Sequence, residues 1–119
     1  MTQNLMGASS ALPQVLVSQQ LAATETTQYI GPASSSVKVS KATLANTSGA
    51  AVTVALSVAK SGQTGGGTNR VLPPFSLAAG DSTVVGELED QFLGPGDFIS
   101  AIASTAAAVT LVMSGVVFS

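Results

Sequence analysis

Apolar residues recur at every second position in short runs along this chain, and turn-forming residues separate the runs. Residues 50–59 show the pattern most plainly. Val52, Val54, Leu56 and Val58 fall on one side, and Thr53, Ala55 and Ser57 on the other. A period of two is the strand period. The run therefore predicts a half-buried strand with a small, polar face toward water or a partner. Residues 36–46 begin the same way with Val37 and Val39, then Ala42 and Leu44 continue on the opposite parity. One extra residue near Ser40, a β-bulge, accounts for the slip.

Further strands are predicted over residues 13–23, 24–30, 70–77 and 82–86. The run 70–77 contains Pro73 and Pro74, which cannot donate to a ladder, so it is an edge strand or a bulged connection. Turns are marked by Gly31-Pro32, by Asn46-Thr47-Ser48-Gly49 and by Ala78-Ala79-Gly80-Asp81, with Gly80 as the residue of positive φ. Residues 87–93 space Leu88, Phe92 and Leu93 at helical intervals and predict one helical turn. After Pro95-Gly96-Asp97, the runs 98–104 and 108–118 read as a hairpin. The second run is apolar on both faces through Val109, Leu111, Val112 and Met113, which predicts a central strand.

About eight short strands with regular turns predict an all-β protein, an antiparallel β-sandwich of jelly-roll or Ig-like type. Its interior is expected to hold Val15, Val17, Val37, Val39, Leu44, Val52, Val54, Leu56, Leu72, Val84, Ile102, Leu111 and Met113. Tyr29 is expected at a strand end with its hydroxyl toward water. Residues 1–12 show no strand period. They are read as an extended N-terminal arm preceding a single domain over 13–119, with Leu5, Met6 and Leu12 as anchors on a neighbour.

Composition narrows the chemistry. The 119 residues include no His, Cys or Trp. A Ser–His nucleophile, a thiolate metal site and a disulfide framework are thereby excluded. Lys38, Lys41, Lys60 and Arg70 stand singly in separate segments and make no nucleic-acid patch. Glu87, Glu89, Asp90 and Asp97 match no calcium-loop spacing and read as a solvated acidic turn. The glycine-rich stretch 61–69 lacks the lysine of a phosphate-binding loop, so it reads as a flexible loop. Residues 1–12 carry no basic residue of a signal peptide. The most apolar window, 106–118, is too short for a membrane helix. No catalytic, cofactor or metal residue is predicted, and the chain is not expected to be an enzyme. Only 8% of residues are charged, with a net charge of −2, so little discourages association. Self-association is expected, with Thr53, Ala55 and Ser57 as a second candidate interface beside Leu5, Met6 and Leu12.

A series of turn and strand motifs carries a resemblance. Val37 to Leu44 leads to Asn46-Thr47 and a valine-rich strand. Leu77-Ala78-Ala79-Gly80-Asp81, Pro95-Gly96-Asp97-Phe98-Ile99 and a closing strand from Val109 to Gly115 follow. Over residues 29–118 this resembles the small β-sandwich structural proteins of tailed bacteriophages. The resemblance implies a virion component, assembled in the host cytoplasm, and carries no catalytic residue over. The resemblance does not choose between capsid, neck, tail and fibres; a rigid module with β-edges or flat faces and a reaching segment suits a capsid decoration or cement protein in contact with the major capsid protein or other virion proteins. The alternatives are a neck, tail or fibre-associated module, and then a carbohydrate-binding domain for host attachment. Exposed aromatics for a sugar platform are limited to Tyr29 and four phenylalanines.

Overall fold

The computed structural model describes residues 10–119. Among them are nine strands: β1 (Ala11–Gln20), β2 (Thr26–Ile30), β3 (Ser36–Asn46), β4 (Val52–Ala59), β5 (Arg70–Leu77), β6 (Ser82–Val84), β7 (Phe92–Leu93), β8 (Phe98–Ala103) and β9 (Val109–Phe118). They form two antiparallel sheets. The first has the order β1-β9-β3-β6, with β7 also on β3; the second has the order β2-β8-β4-β5. The nested pairs β4·β5, β3·β6, β2·β8 and β1·β9 are those of one long hairpin rolled over itself. This is a jelly roll.

Each strand contributes alternate residues to the space between the sheets. Val52, Val54 and Leu56 from β4 meet Val37, Val39 and Leu44 from β3, Leu111 and Met113 from β9, and Ile99 from β8. Burying each such side chain stabilises the fold by roughly 1.5–3 kcal/mol. The predicted bulge is present: β3 and β9 shift register between Val39 and Lys41, so that Ala42 resumes on the core side opposite Met113.

Strands β8 and β9 do not form the expected hairpin. β8 lies between β2 and β4, whereas β9 lies between β1 and β3, in the opposite sheet. Both strands present an apolar face to the same core, Ala101 and Ala103 from one and Val109 and Leu111 from the other. Residues 104–108 therefore cross from sheet to sheet. Ser104 N–H donates to the Thr53 carbonyl, and Ala107, at φ 58°, donates to the Leu21 carbonyl. β9 is central, as expected, but only one of its faces is fully buried.

Other expectations need correction. β1 carries its own bulge at Leu16: Val15 pairs with Ser114 and Val17 with Met113. The extra residue turns Val15 outward, 61% exposed, while Val17 is buried. Val84 also faces out, and Val85 takes the core position. Ile102 is half-buried on the outer face of the second sheet. The helical spacing in 87–93 yields a single 3-10 turn, Gly86–Leu88, followed by β7. Leu88 and Leu93 enter the core but Phe92 points to solvent. Tyr29 packs partly against the core, and this burial pushes its phenol pKa upward.

Candidate interaction surface

One cluster of polar groups holds the second sheet together. Arg70, at the start of the edge strand β5, grips Glu25 with two nitrogens: Nη2 donates to Oε1 at 2.7 Å and Nη1 to Oε2 at 3.0 Å. Nη1 also donates to Ser57 Oγ at 2.7 Å, and Ser100 Oγ donates to Glu25 Oε2 at 2.7 Å. The cluster ties together the lead into β2 and strands β4, β5 and β8. The bidentate guanidinium is the main reason that the Glu25 carboxyl lies below the usual carboxylate range; partial burial opposes it, and Ser100 assists. A carboxylate so occupied is a clamp rather than an acid or base. Sequence alone presents Arg70 as an isolated charge. Its partner lies 45 residues away, and no local spacing announces the pair.

The glycine-rich loop closes over this clamp instead of standing free. Ser57 Oγ donates to the Gly66 carbonyl, Gly66 N–H donates to Asn69 Oδ1, and Asn69 Nδ2 donates to the Thr64 carbonyl. Gly65 lies so close to Ser100 that a Cβ would collide with its hydroxyl. Backbone without side chains is what lets the loop settle on the sheet. A shallow cleft of about 290 Å³ remains, lined by Glu25, Thr27, Gln63, Thr64, Gly65, Phe98 and Ser100.

The acidic residues do not converge. Asp97 accepts N–H bonds from Ser61 and Gly94 and braces two turns, while Asp90 pairs with Lys38 at 3.4 Å on the surface. Among the described residues no group of three acidic, His or Cys side chains is placed to hold a metal ion.

The expected interface residues are scattered. Leu5 and Met6 lie outside the described residues. Leu12, placed in the arm by sequence, is in β1 and 57% exposed. Thr53 is exposed. Ala55 and Ser57 are buried within the chain, Ser57 beneath the loop, so the small face of β4 is largely unavailable to a partner.

The open surface is the outer face of the first sheet, which the sequence reading does not single out. Directly paired residues share a face. Pro13, Val116, Lys38 and Phe92 therefore form one outward row, and Ser18, Val112, Thr43 and Val84 another, with Val15 and Ser114 between them. Val15, Val84, Phe92 and Val112 are each at least 36% exposed. The charges in this patch are Lys38, held by Asp90, and Lys41. The signal is present in sequence as valines at the second parity of β9. A large apolar area on a surface marks a place of contact.

No family model and no curated protein matches the chain. The solved structures that match the chain include the following two. One comes from infectious bursal disease virus, Gx strain, at 14% identity and TM-score 0.54, covering 93% of this chain and 33% of that one. The other is from the work on Bacillus endospore appendages, described as a novel family of disulfide-linked pili, at 17% identity and TM-score 0.49, covering 100% of this chain and 96% of that one. The first likeness shows a shared fold across a third of the viral chain.

Proposed function

We propose that this chain is a non-enzymatic structural subunit of a particle, and within that class a decoration or cement protein on the head of a tailed bacteriophage. The observation that carries the reading is the apolar outer face of the first sheet, where Val15, Val84, Phe92 and Val112 are exposed and Lys38 and Lys41 are the charges. Such a face suits permanent burial against another protein better than it suits water. The turn motifs of residues 29–118 supply the phage assignment by resemblance. The jelly roll is compatible, being used for capsid and lectin domains alike, although fold by itself selects neither. The major capsid protein is the proposed partner.

Quantitative mass spectrometry of density-purified particles tests this. A copy number comparable with that of the major capsid protein supports decoration of the head. A copy number matching a single ring moves the chain to the neck or tail. Absence from the particles overturns the reading.

A further inference from the structure

We infer that β1 is a strand-pairing edge and that its occupant is β1 of a second copy, giving a two-fold dimer with one sheet continuous across it. This deepens the structural-subunit reading by naming a partner, and it rests on that reading only for its biological use.

The geometry starts from the β1–β9 ladder. Ser10 and Ser119 exchange both main-chain bonds, and Leu21 N–H donates to the Val109 carbonyl. In an antiparallel pair, bonding to the neighbour alternates along the strand. Leu12 and Gln14 before the bulge, and Val17 and Gln19 after it, therefore turn toward β9. Ala11, Pro13, Val15, Ser18 and Gln20 aim their main-chain groups off the sheet. Pro13 occupies one of these positions, where its missing N–H costs β9 nothing.

The other edges are defended and this one is not. β5 carries Arg70 and Pro73-Pro74, β2 is five residues long and follows Glu25, and β6 and β7 have three and two residues. β1 has ten residues and no charge, and the sequence holds no charged residue before Glu25. Charge and brevity are the usual guards of an edge. A charged strand docking here would lose hydration and meet no counter-charge. The fitting partner is another uncharged edge of similar length, and β1 is the one such edge among the described residues.

The bulge makes β1 complementary to itself. Leu16 is the extra residue, so the free groups are odd-numbered before it and even-numbered after it. Two β1 strands laid antiparallel over their full length bring Ala11 against Gln20 and Pro13 against Ser18. Free groups then meet free groups on both sides of the two-fold axis. The Pro13 carbonyl accepts the Ser18 N–H, and this pair joins the row of Val116 in one copy to the row of Val112 in the other. A pairing of this kind closes on itself and leaves no edge at β1.

The absence of cysteine allows a clean test on the full chain. Chains carrying Ala11→Cys are mixed with chains carrying Gln20→Cys and oxidised mildly, with Ser61→Cys in the turn after β4 as control. The expected result is a mixed disulfide between position 11 of one chain and position 20 of the other. It should exceed either self-linked product and any product of the control. Sedimentation should show a dimer for the unmodified chain and a monomer for Val15→Lys/Gln20→Lys, with the circular dichroism spectrum and Tm retained, since both side chains are exposed. A monomeric unmodified chain, or a dimer that survives both lysines, overturns the inference. Should the lysine pair fail to fold, the crosslinking ratio decides by itself. Particle association is scored separately: a monomer that still joins particles overturns the edge pairing alone, whereas a β1-linked dimer absent from particles supports it and overturns the assembly reading.

Discussion

Asn46 shows how much a single side chain can hold in a fold without helices. It is buried, and its Nδ2 donates to the Ala50 and Leu77 carbonyls while Oδ1 accepts from Ser48 N–H and Oγ. Its main chain joins in, with N–H to the Asp81 carbonyl and its own carbonyl accepting from Gly80. The end of β3, the start of β4 and the turn before β6 thus meet at one amide. Asn46→Ala takes the side-chain donor from the buried Leu77 carbonyl, whose register partner is Val52, and from the Ala50 carbonyl, a loss of roughly 1–3 kcal/mol. Urea unfolding should show this as a lower midpoint at unchanged slope. Glu25 carries a second prediction. Its pKa is lowered in the folded state, against an ordinary value of 4.5. Its contribution is therefore complete above that ordinary value and is lost as pH falls through the lower folded value. Tm should drop on acidification below about pH 4.5, and Glu25→Gln should flatten that part of the profile. An equal acid response in the variant would assign the loss to other carboxylates.

At the scale of the element, the informative strand is β9, which is flanked by a bulge on either side. Leu16 on β1 and Ser40 on β3 are the extra residues, and both face the stretch from Met113 to Gly115. A Cβ at Gly115 would run into the Lys38 carbonyl and touch Leu16 Cδ1. The glycine lets both neighbours crowd the same point. Gly115→Ala forces backbone to move and should cost about 1–3 kcal/mol, as overpacking does; a chevron or thermal melt reads it, and an unchanged melt would mean that the strands relax freely. The two bulges also mark what sequence can reveal. At Ser40 the valine parity breaks, so the bulge is visible. At Leu16 the trio Val15-Leu16-Val17 is apolar throughout, and alternation carries no sign of which residue is extra. Strands β3, β4 and β9 are legible because their alternation is long. The placement of β8 and β9 in different sheets is not, because alternation records which face is buried and not which strand lies alongside. The Arg70–Glu25 clamp is illegible for a related reason: its members join only after the hairpin has rolled.

At the scale of the whole molecule, 10 charged residues are spread over a domain with principal extents of 47 × 26 × 19 Å. Several of them have partners within the chain, in the part-buried Arg70–Glu25 pair, the surface Lys38–Asp90 pair and the turn held by Asp97. The surfaces proposed for contact, β1 and the outer face of the first sheet, hold two charges, Lys38 and Lys41 on the interior strand β3, and no acidic residue on β1, β3 or β9. Association through them should follow the rules of apolar burial and main-chain hydrogen bonding rather than those of charge. Coulombic contacts weaken as the Debye length contracts from roughly 10 Å at 0.1 M salt to 3 Å at 1 M. Apolar burial does not, and excluded salts such as sulfate strengthen it. The dimer constant of the free chain should therefore stay nearly level in sodium chloride over that range and tighten in ammonium sulfate. Sedimentation equilibrium at several salt concentrations measures both arms. A dimer that dissociates steadily with rising chloride would assign the contact to charged groups and would overturn pairing through the uncharged β1.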